Sequence, residues 1–395
     1  MNDKTRDFIE KNIDADIRQL ALKGCRDQEI DLDVAIRQIA GKQTARRKLP
    51  SWAALDGILY PLHLNMEQCS SEQTARYKKS LASSLFSGQS TPTALVDLTG
   101  GFGVDFAFMS EAFDEATYIE KNSELFAISS ANMRILAPKA KCLNEDGLEA
   151  LHRIGHVSMI FMDPARRDHH GARTYGIGDC TPNVLDIKDE LLQKADIVML
   201  KLSPMLDWHK AISDLGEQYI KEIHIVSVQN ECKELLIVMQ QHPAAPLVVH
   251  CVNDGSVFSY HPSPTSSNPI FHLPSFIFLY EPNASIMKAG CFAEVEQAFG
   301  ISQLAPNSHL FSSEQLIADF PGRKFRITAI SSMNKQELKS ALKDIRQANI
   351  AVRNFPMSVA DLRKRLKLSE GGNDYIFATT LAEGEKKVLI ICQHL

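Results

Sequence analysis

The chain has 395 residues, 44% of them hydrophobic and 23% charged, and a net charge of −5. That length is more than one compact core usually serves, so two or three domains are expected in an ordinary soluble globular protein. No apolar run approaches the roughly 20 residues of a membrane span, and the polar start MNDKTRDFIEKN carries no signal region. Eight cysteines are scattered without a C-x-x-C pair, which suits reduced thiols in a cytoplasmic protein better than disulfides or a zinc site. Charge is uneven: residues 321–395 hold 14 Lys and Arg against 7 Asp and Glu, or +7, which leaves −12 on the rest. A basic C-terminal piece on an acidic body points to a polyanion gripped at that end, the alternative being a solvated basic face.

Residues 1–90 read as helical. The segment 32–50 places Leu32, Ala35, Ile36 and Ile39 on one stripe with Arg37 opposite. Ser71 reads as the N-cap of a helix with Leu81 and Leu85 on one face. From 91 to about 275, strands at 94–98, 116–120, 140–144, 157–162, 196–202, 221–228 and 246–252 alternate with helices. That is the pattern of an α/β, mainly parallel, doubly wound sheet. The Pro- and Ser-rich stretch 253–275 reads as a boundary. Beyond it come strands at 276–282 and 324–330, a helix over 334–349, a strand near 350–355, a basic helix over 358–368, and strands at 375–381 and 387–393.

The stretch LVDLTGGFGVDFAFM at 95–109 reads as strand, tight turn and helix. In a dinucleotide fingerprint the third glycine allows close helix packing, but Phe106 stands at that position, and no G-K-[ST] marks a P-loop. D-L-T-G-G-F-G instead resembles motif I of class I S-adenosylmethionine (SAM) methyltransferases, with Thr99 at the first glycine position, followed by Gly100, Gly101 and Gly103. Gly101 and Gly103 would let the backbone pass close to the cofactor, and Asp97 would engage its ammonium. Glu120, ending the second strand, is placed to accept both ribose hydroxyls, and Asp146, after the third, to meet the adenine amine.

The fourth strand ends in MDPARRD, similar to the D/N-P-P-Y/F motif of amino-methyltransferases. Asp163 would accept a hydrogen bond from the target N–H and Pro164 would fix the loop. Ala165 replaces the second proline, and Arg166 stands where an aromatic would stack, a place from which a guanidinium can stack on a base or bind phosphate. Lys201, Ser203 and Pro204 follow the fifth strand, and Asn230, Glu231, Lys233 and Glu234 the sixth. Cys232 is expected to open a helix and not to act as a nucleophile. His169-His170 lacks a third ligand, so no metal is expected.

EQCSSEQTARYK, DLTGGFGVD, MDPARRD, KLSPMLDW and the C-terminal KFRITAI and LRKRLKLSEGGNDYIFATTL together resemble the bacterial class I methyltransferase-like proteins with a THUMP-like C-terminal domain. The resemblance implies a helical region over 1–90 and a seven-stranded Rossmann-like SAM-binding core over 91–275. It further implies a ferredoxin-like segment over 276–321 and a THUMP-like domain over 322–395, and the last is associated with RNA binding. D-x-T-x-G-x-G-x-D, which includes Asp105, is also similar to motif I of a bacterial rRNA guanine-N2 methyltransferase. Methylation of an exocyclic amine in tRNA or rRNA is therefore expected. The alternatives are a protein or small-molecule acceptor, or a non-catalytic RNA-binding protein with a vestigial SAM fold.

Overall fold

The computed structural model describes residues 1–166, 176–262, 277–382 and 385–395, and the chain divides into two compact units. The first comprises Met1–Ile223 and Glu234–Pro246, the second His224–Lys233 and Leu247–Leu395. Arg167, His169 and His170, like most of the 253–275 stretch, lie outside the described residues.

The first unit begins with helices α1 (Asp3–Lys11), α2 (Ile17–Lys23), α3 (Leu32–Lys48), α4 (Pro50–Ala53), α5 (His63–Gln68) and α6 (Glu72–Leu85). Asn2, Asp16, Asp31 and Ser71 each accept the main-chain N–H three residues on, which fixes the starts of α1, α2, α3 and α6. On α3, Ala35 and Ile39 are fully buried. Gln38 lies between them and closes two 2.9 Å bonds with the main chain of Tyr60. Trp52 packs edge-on against Phe102 and stacked against Phe108.

Strands β1 (Ala94–Asp97), β2 (Glu115–Ile119), β3 (Lys141–Leu143), β4 (Val157–Met162), β5 (Ala195–Leu202), β6 (Ile220–Val228) and β7 (Glu231–Met239) hydrogen-bond in the order β6-β7-β5-β4-β1-β2-β3. Pairs β1/β2, β1/β4, β2/β3 and β4/β5 are parallel, and β5/β7 is antiparallel. Helices α7 (Val104–Ser110), α8 (Ser123–Leu136), α9 (Gly147–Arg153), α10 (Val184–Lys194) and α11 (Trp208–Leu215) connect them. Ala165–Arg166 pairs with Cys180–Thr181 in a two-residue ladder.

One expectation is overturned at β7. Cys232 does not open a helix but lies in a strand, because Gln229 and Asn230 both take positive φ, 51° and 60°, and turn the chain back on itself. Leu235–Met239 are then buried throughout, as a strand covered on both faces requires.

In the second unit, β8 (Val248–Asn253) and β9 (Ser256–Tyr260) form a hairpin through Asp254-Gly255, with Asp254 at φ 52°. The chain therefore stays regular for several residues past the expected boundary at 253: β8 is the strand expected over 246–252, and β7 and β9 are the two that were not expected. After them come β10 (Phe278–Pro282), α12 (Ala284–Ala289), α13 (Phe292–Phe299), β11 (Ser302–Gln303), β12 (Phe311–Ser313), β13 (Gly322–Ser332), α14 (Lys335–Ala341), β14 (Asn349–Val352), α15 (Val359–Leu366), β15 (Asp374–Thr380) and β16 (Lys387–His394). The sheet order is β11-β12-β10-β13-β16-β15-β14, in which β14/β15 is parallel. Alternation along the strands sends Phe377 and Ile390 into one core and Ile376, Leu389 and Ile391 into another, where Leu362 and Leu368 cover them. The helix expected over 334–349 stops at Ala341. Its continuation is committed elsewhere: the Ala348 N–H donates to Ser369 O at 3.0 Å, and the Ser369 N–H to Arg346 O at 3.1 Å.

Candidate active site

Because β1, β2, β4 and β5 are parallel, their C-terminal ends share one edge, and the strand order reverses between β1 and β4. Such a switch point leaves a crevice between connections that leave on opposite faces. Asp97, Glu120, Asp163 and Lys201 all stand at or just beyond these strand ends.

The glycines of the β1–α7 turn have separate jobs. A Cβ at Gly100 would lie 2.2 Å from the Tyr118 ring, and one at Gly103 would lie 2.3 Å from Met133 Cε. Both are therefore packing positions, and Gly103 also takes φ 82°. At Gly101, with φ 58°, a Cβ would meet nothing nearer than Thr99 O at 3.8 Å, so this is where the loop faces open space. The Gly101 N–H donates to Glu120 Oε2 at 2.8 Å, and the Asn122 N–H donates to Oε1 at 2.6 Å. Glu120 thus ties the glycine turn to the end of β2 and keeps the remaining lone pairs of its carboxylate.

Asp146 is the N-cap of α9, its Oδ1 accepting from the Leu148 N–H at 2.8 Å. The adjacent Gly147 brings α9 against the β1 turn, since a Cβ there would sit 2.1 Å from Leu98 O. Asp97 is buried, 1% exposed, and accepts the Thr99 N–H at 2.9 Å. Burial pushes its carboxyl up to about 8, with the Asp105 and Asp163 charges adding to the rise.

Thr99, in the first glycine position of the motif, has a function that glycine could not supply. Its Oγ1 accepts the Asp163 N–H at 2.6 Å and so joins the β1 turn to the β4 end. Pro164 is buried beside it, and the backbone of Arg166 is held by Cys180 in the short ladder. The Asp163 side chain is 41% exposed, and its Oδ2 accepts from Lys201 Nζ at 2.5 Å.

Lys201 opens a run of alternating charges. Its ammonium is also 3.3 Å from Asp105 Oδ2. Asp105 Oδ1 is 3.1 Å from Lys78 Nζ, and Lys78 donates to Glu234 Oε1 at 2.5 Å. Ser70 Oγ adds a 2.7 Å bond to Asp105 Oδ2. Lys78 is 0% exposed and Glu234 3%. Burial raises the Glu234 carboxyl despite Lys78. It would raise Asp105 too, but the flanking Lys78 and Lys201 outweigh it and hold that carboxyl below its usual range. Burial opposes the charge on Lys201, yet Asp163, Asp105 and Glu234 carry its ammonium well above the usual value.

Sequence reasoning singled out Asp105, Lys201 and Glu234 but missed Lys78 and Ser70. Lys78 interrupts the stripe of Thr74, Ala75, Leu81 and Ala82 on α6, and a lysine at the centre of a buried face demands carboxylate partners. Glu234, expected after the sixth strand, lies inside β7 instead. Asn230 also serves structure, accepting the Ala284 N–H at 2.7 Å.

In the second unit, α15 ends with Arg363, Lys364 and Arg365 in its last turn, and Lys364, Arg365 and Lys367 are exposed. Lys339, Lys343 and Arg346 are exposed on and after α14. No helix among the described residues is long and apolar enough to cross a membrane.

Comparison with curated proteins found no match. Family profiles match residues 278–321 as a ferredoxin-like domain and residues 322–394 as THUMP domain-like. Among solved structures, a protein of Porphyromonas gingivalis W83 that bears the provisional name methyltransferase superposes with a TM-score of 0.86 at 30% identity, over 100% of this chain and 99% of that one. A SAM-dependent methyltransferase of Agrobacterium tumefaciens aligns over 43% of this chain and 62% of its own at 17% identity, with a TM-score of 0.31. Identity at that level along both whole chains, with the two C-terminal profiles, settles kinship: the chain belongs to the bacterial methyltransferase-like proteins with a THUMP-like C-terminal domain.

Proposed function

We propose that the protein is a SAM-dependent methyltransferase that modifies an exocyclic base amine of structured RNA, with guanine N2 as the first candidate. The observation that carries this reading is the convergence of the open Gly101 turn, Glu120 and the Asp163-Pro164 corner on one sheet edge at the switch point.

The residues present suit SAM. Gly101 leaves room above the turn. The buried Asp97 carboxyl, pushed up to about 8, would gain from a cation beside it, and the cofactor carries an ammonium. Glu120 would accept ribose hydroxyls with its free lone pairs, and Asp146 lies at the start of α9 for the adenine end. SAM supplies a methyl group already activated as a sulfonium. What this chain contributes is orientation and exclusion of water. Asp163 accepts a hydrogen bond from the acceptor N–H and aims the nitrogen lone pair. Pro164 holds that corner, and Arg166 follows on the acceptor side. The exposed cations of α14 and α15, within the THUMP-like segment, support docking of a polyanion.

Two titrations test the reading. Calorimetry with SAM should give binding that weakens roughly tenfold or more in Glu120→Ala, through loss of charge-assisted hydrogen bonds. Absence of binding by the wild type overturns the enzyme reading. Total RNA should bind with a steep salt dependence, and Lys364→Ala with Arg365→Ala should cut its logarithmic slope by about 2. Salt-insensitive or absent binding returns the acceptor to a protein or a small molecule.

A further inference from the structure

We propose that Lys201 is the positioning residue of the acceptor site: its ammonium fixes Asp163 so that one carboxylate oxygen stays available to the incoming amine. This rests on the methyltransferase reading above and names the part of the chain that makes Asp163 competent.

The geometry leaves Asp163 little freedom. Its main-chain N–H is bound by Thr99 Oγ1 at 2.6 Å and its Oδ2 by Lys201 Nζ at 2.5 Å. Among the described residues, Oδ1 takes no hydrogen bond, and the side chain is 41% exposed. Hence one oxygen is anchored inward while the other faces outward. An unanchored aspartate at a strand end would sample several rotamers, and orienting it at the moment of reaction would slow transfer.

Lys201 is itself held. Its side chain is 12% exposed, and Asp105 Oδ2 lies 3.3 Å away on the inner side. Asp105 is in turn fixed by Lys78 and by Ser70, and Lys78 by Glu234. Signs alternate along Glu234, Lys78, Asp105, Lys201 and Asp163. Two lysines serve three acids, and only the outermost acid is substantially exposed. The helical N-terminal segment therefore has a definite task in the first unit. Through Ser70 and Lys78 it supplies the inner half of the support on which the Asp163 carboxylate stands.

The test is single-turnover transfer of labelled methyl from SAM to total RNA of a strain lacking the gene, read beside calorimetric SAM affinity and the RNA concentration dependence. Lys201→Met should slow transfer about a hundredfold while SAM affinity and RNA half-saturation hold, and Lys201→Arg should recover most of the rate. Lys201→Met combined with Asp163→Asn removes the pair together, keeps the charge balanced, and reports even where the single variant fails to fold. Its rate should equal that of Asp163→Asn alone. A full rate in Lys201→Met, or a loss in the pair beyond that of Asp163→Asn, overturns the proposal. So does a fall in SAM affinity that accounts for the whole loss of rate, because Lys201 would then belong to the cofactor site. If the wild type labels no RNA, the RNA reading fails first, and this proposal falls with it.

Discussion

Replacing Asp97 by asparagine should change how the stability of the first unit depends on pH. Asp97 is 1% exposed, accepts the Thr99 N–H, and has its carboxyl pushed up to about 8 by burial and then by the Asp105 and Asp163 charges. In the unfolded chain an Asp titrates near roughly 3.9. Between about pH 4 and 8 the folded state therefore keeps a proton that the unfolded state has lost. Stability must fall as pH rises through that window and level off above 8. At 1.36 kcal/mol per pH unit the full cost is about 6 kcal/mol. The amide of the Asp97→Asn variant would still accept the Thr99 N–H but would not titrate, so the stability difference in its favour should grow by about 4 kcal/mol from pH 5 to 8.5. The chain has two tryptophans, Trp52 and Trp208, both within the first unit, so urea unfolding followed by their fluorescence reports that unit. Saturating SAM should flatten the wild-type slope, because an ammonium beside Asp97 favours the carboxylate. Parallel pH profiles for Asp97→Asn and wild type would refute the reasoning.

The remaining predictions concern packing and the buried charges. Gly147→Ala drives a Cβ to 2.1 Å from Leu98 O, a main-chain atom that cannot rotate away, and should cost about 1–3 kcal/mol by thermal unfolding. Gly155→Ala, where a Cβ meets nothing within 4 Å, should cost almost nothing, and equal costs would contradict the packing account. Lys78→Met strands Glu234 without its buried cation, leaves Asp105 with Lys201 alone, and should lose about 3–5 kcal/mol. Adding Glu234→Gln to it should recover part of that loss, and a single-variant loss under about 1 kcal/mol would mean that the network is not stabilising. Gly103→Ala, with φ 82° and Met133 at 2.3 Å, should destabilise more than Gly101→Ala, which has a similar φ but no close neighbour. Gly101→Ala should lose more SAM affinity relative to its stability cost, as calorimetry would show.

Much of the fold was legible because its signals are local. Strands such as 157–162 and 195–202 are built on apolar runs, Met159–Met162 and Ile197–Leu200, and Ser71 announces α6 by its cap. The segment ECKELLIVM was not legible, since its composition suits helix and strand alike. The deciding information is two positive φ angles at Gln229 and Asn230, neither of them a glycine. At the site, DLTGGFG and MDPARR fall at the turns that follow β1 and β4, but the division of labour among the glycines depends on Tyr118 and Met133, which only the fold brings near. The partner of Lys78 lies 156 residues away on β7, beyond any periodicity. A lysine on an apolar stripe could only say that such a partner exists.

The reaction proposed for this chain is methylation of an RNA amine at the Asp163 corner. Nucleoside mass spectrometry of total RNA from a strain lacking the gene tests it most directly. One methylated nucleoside should be missing, restored by the wild-type gene and not by Asp163→Ala. A methylated-nucleoside profile identical with and without the gene would contradict it.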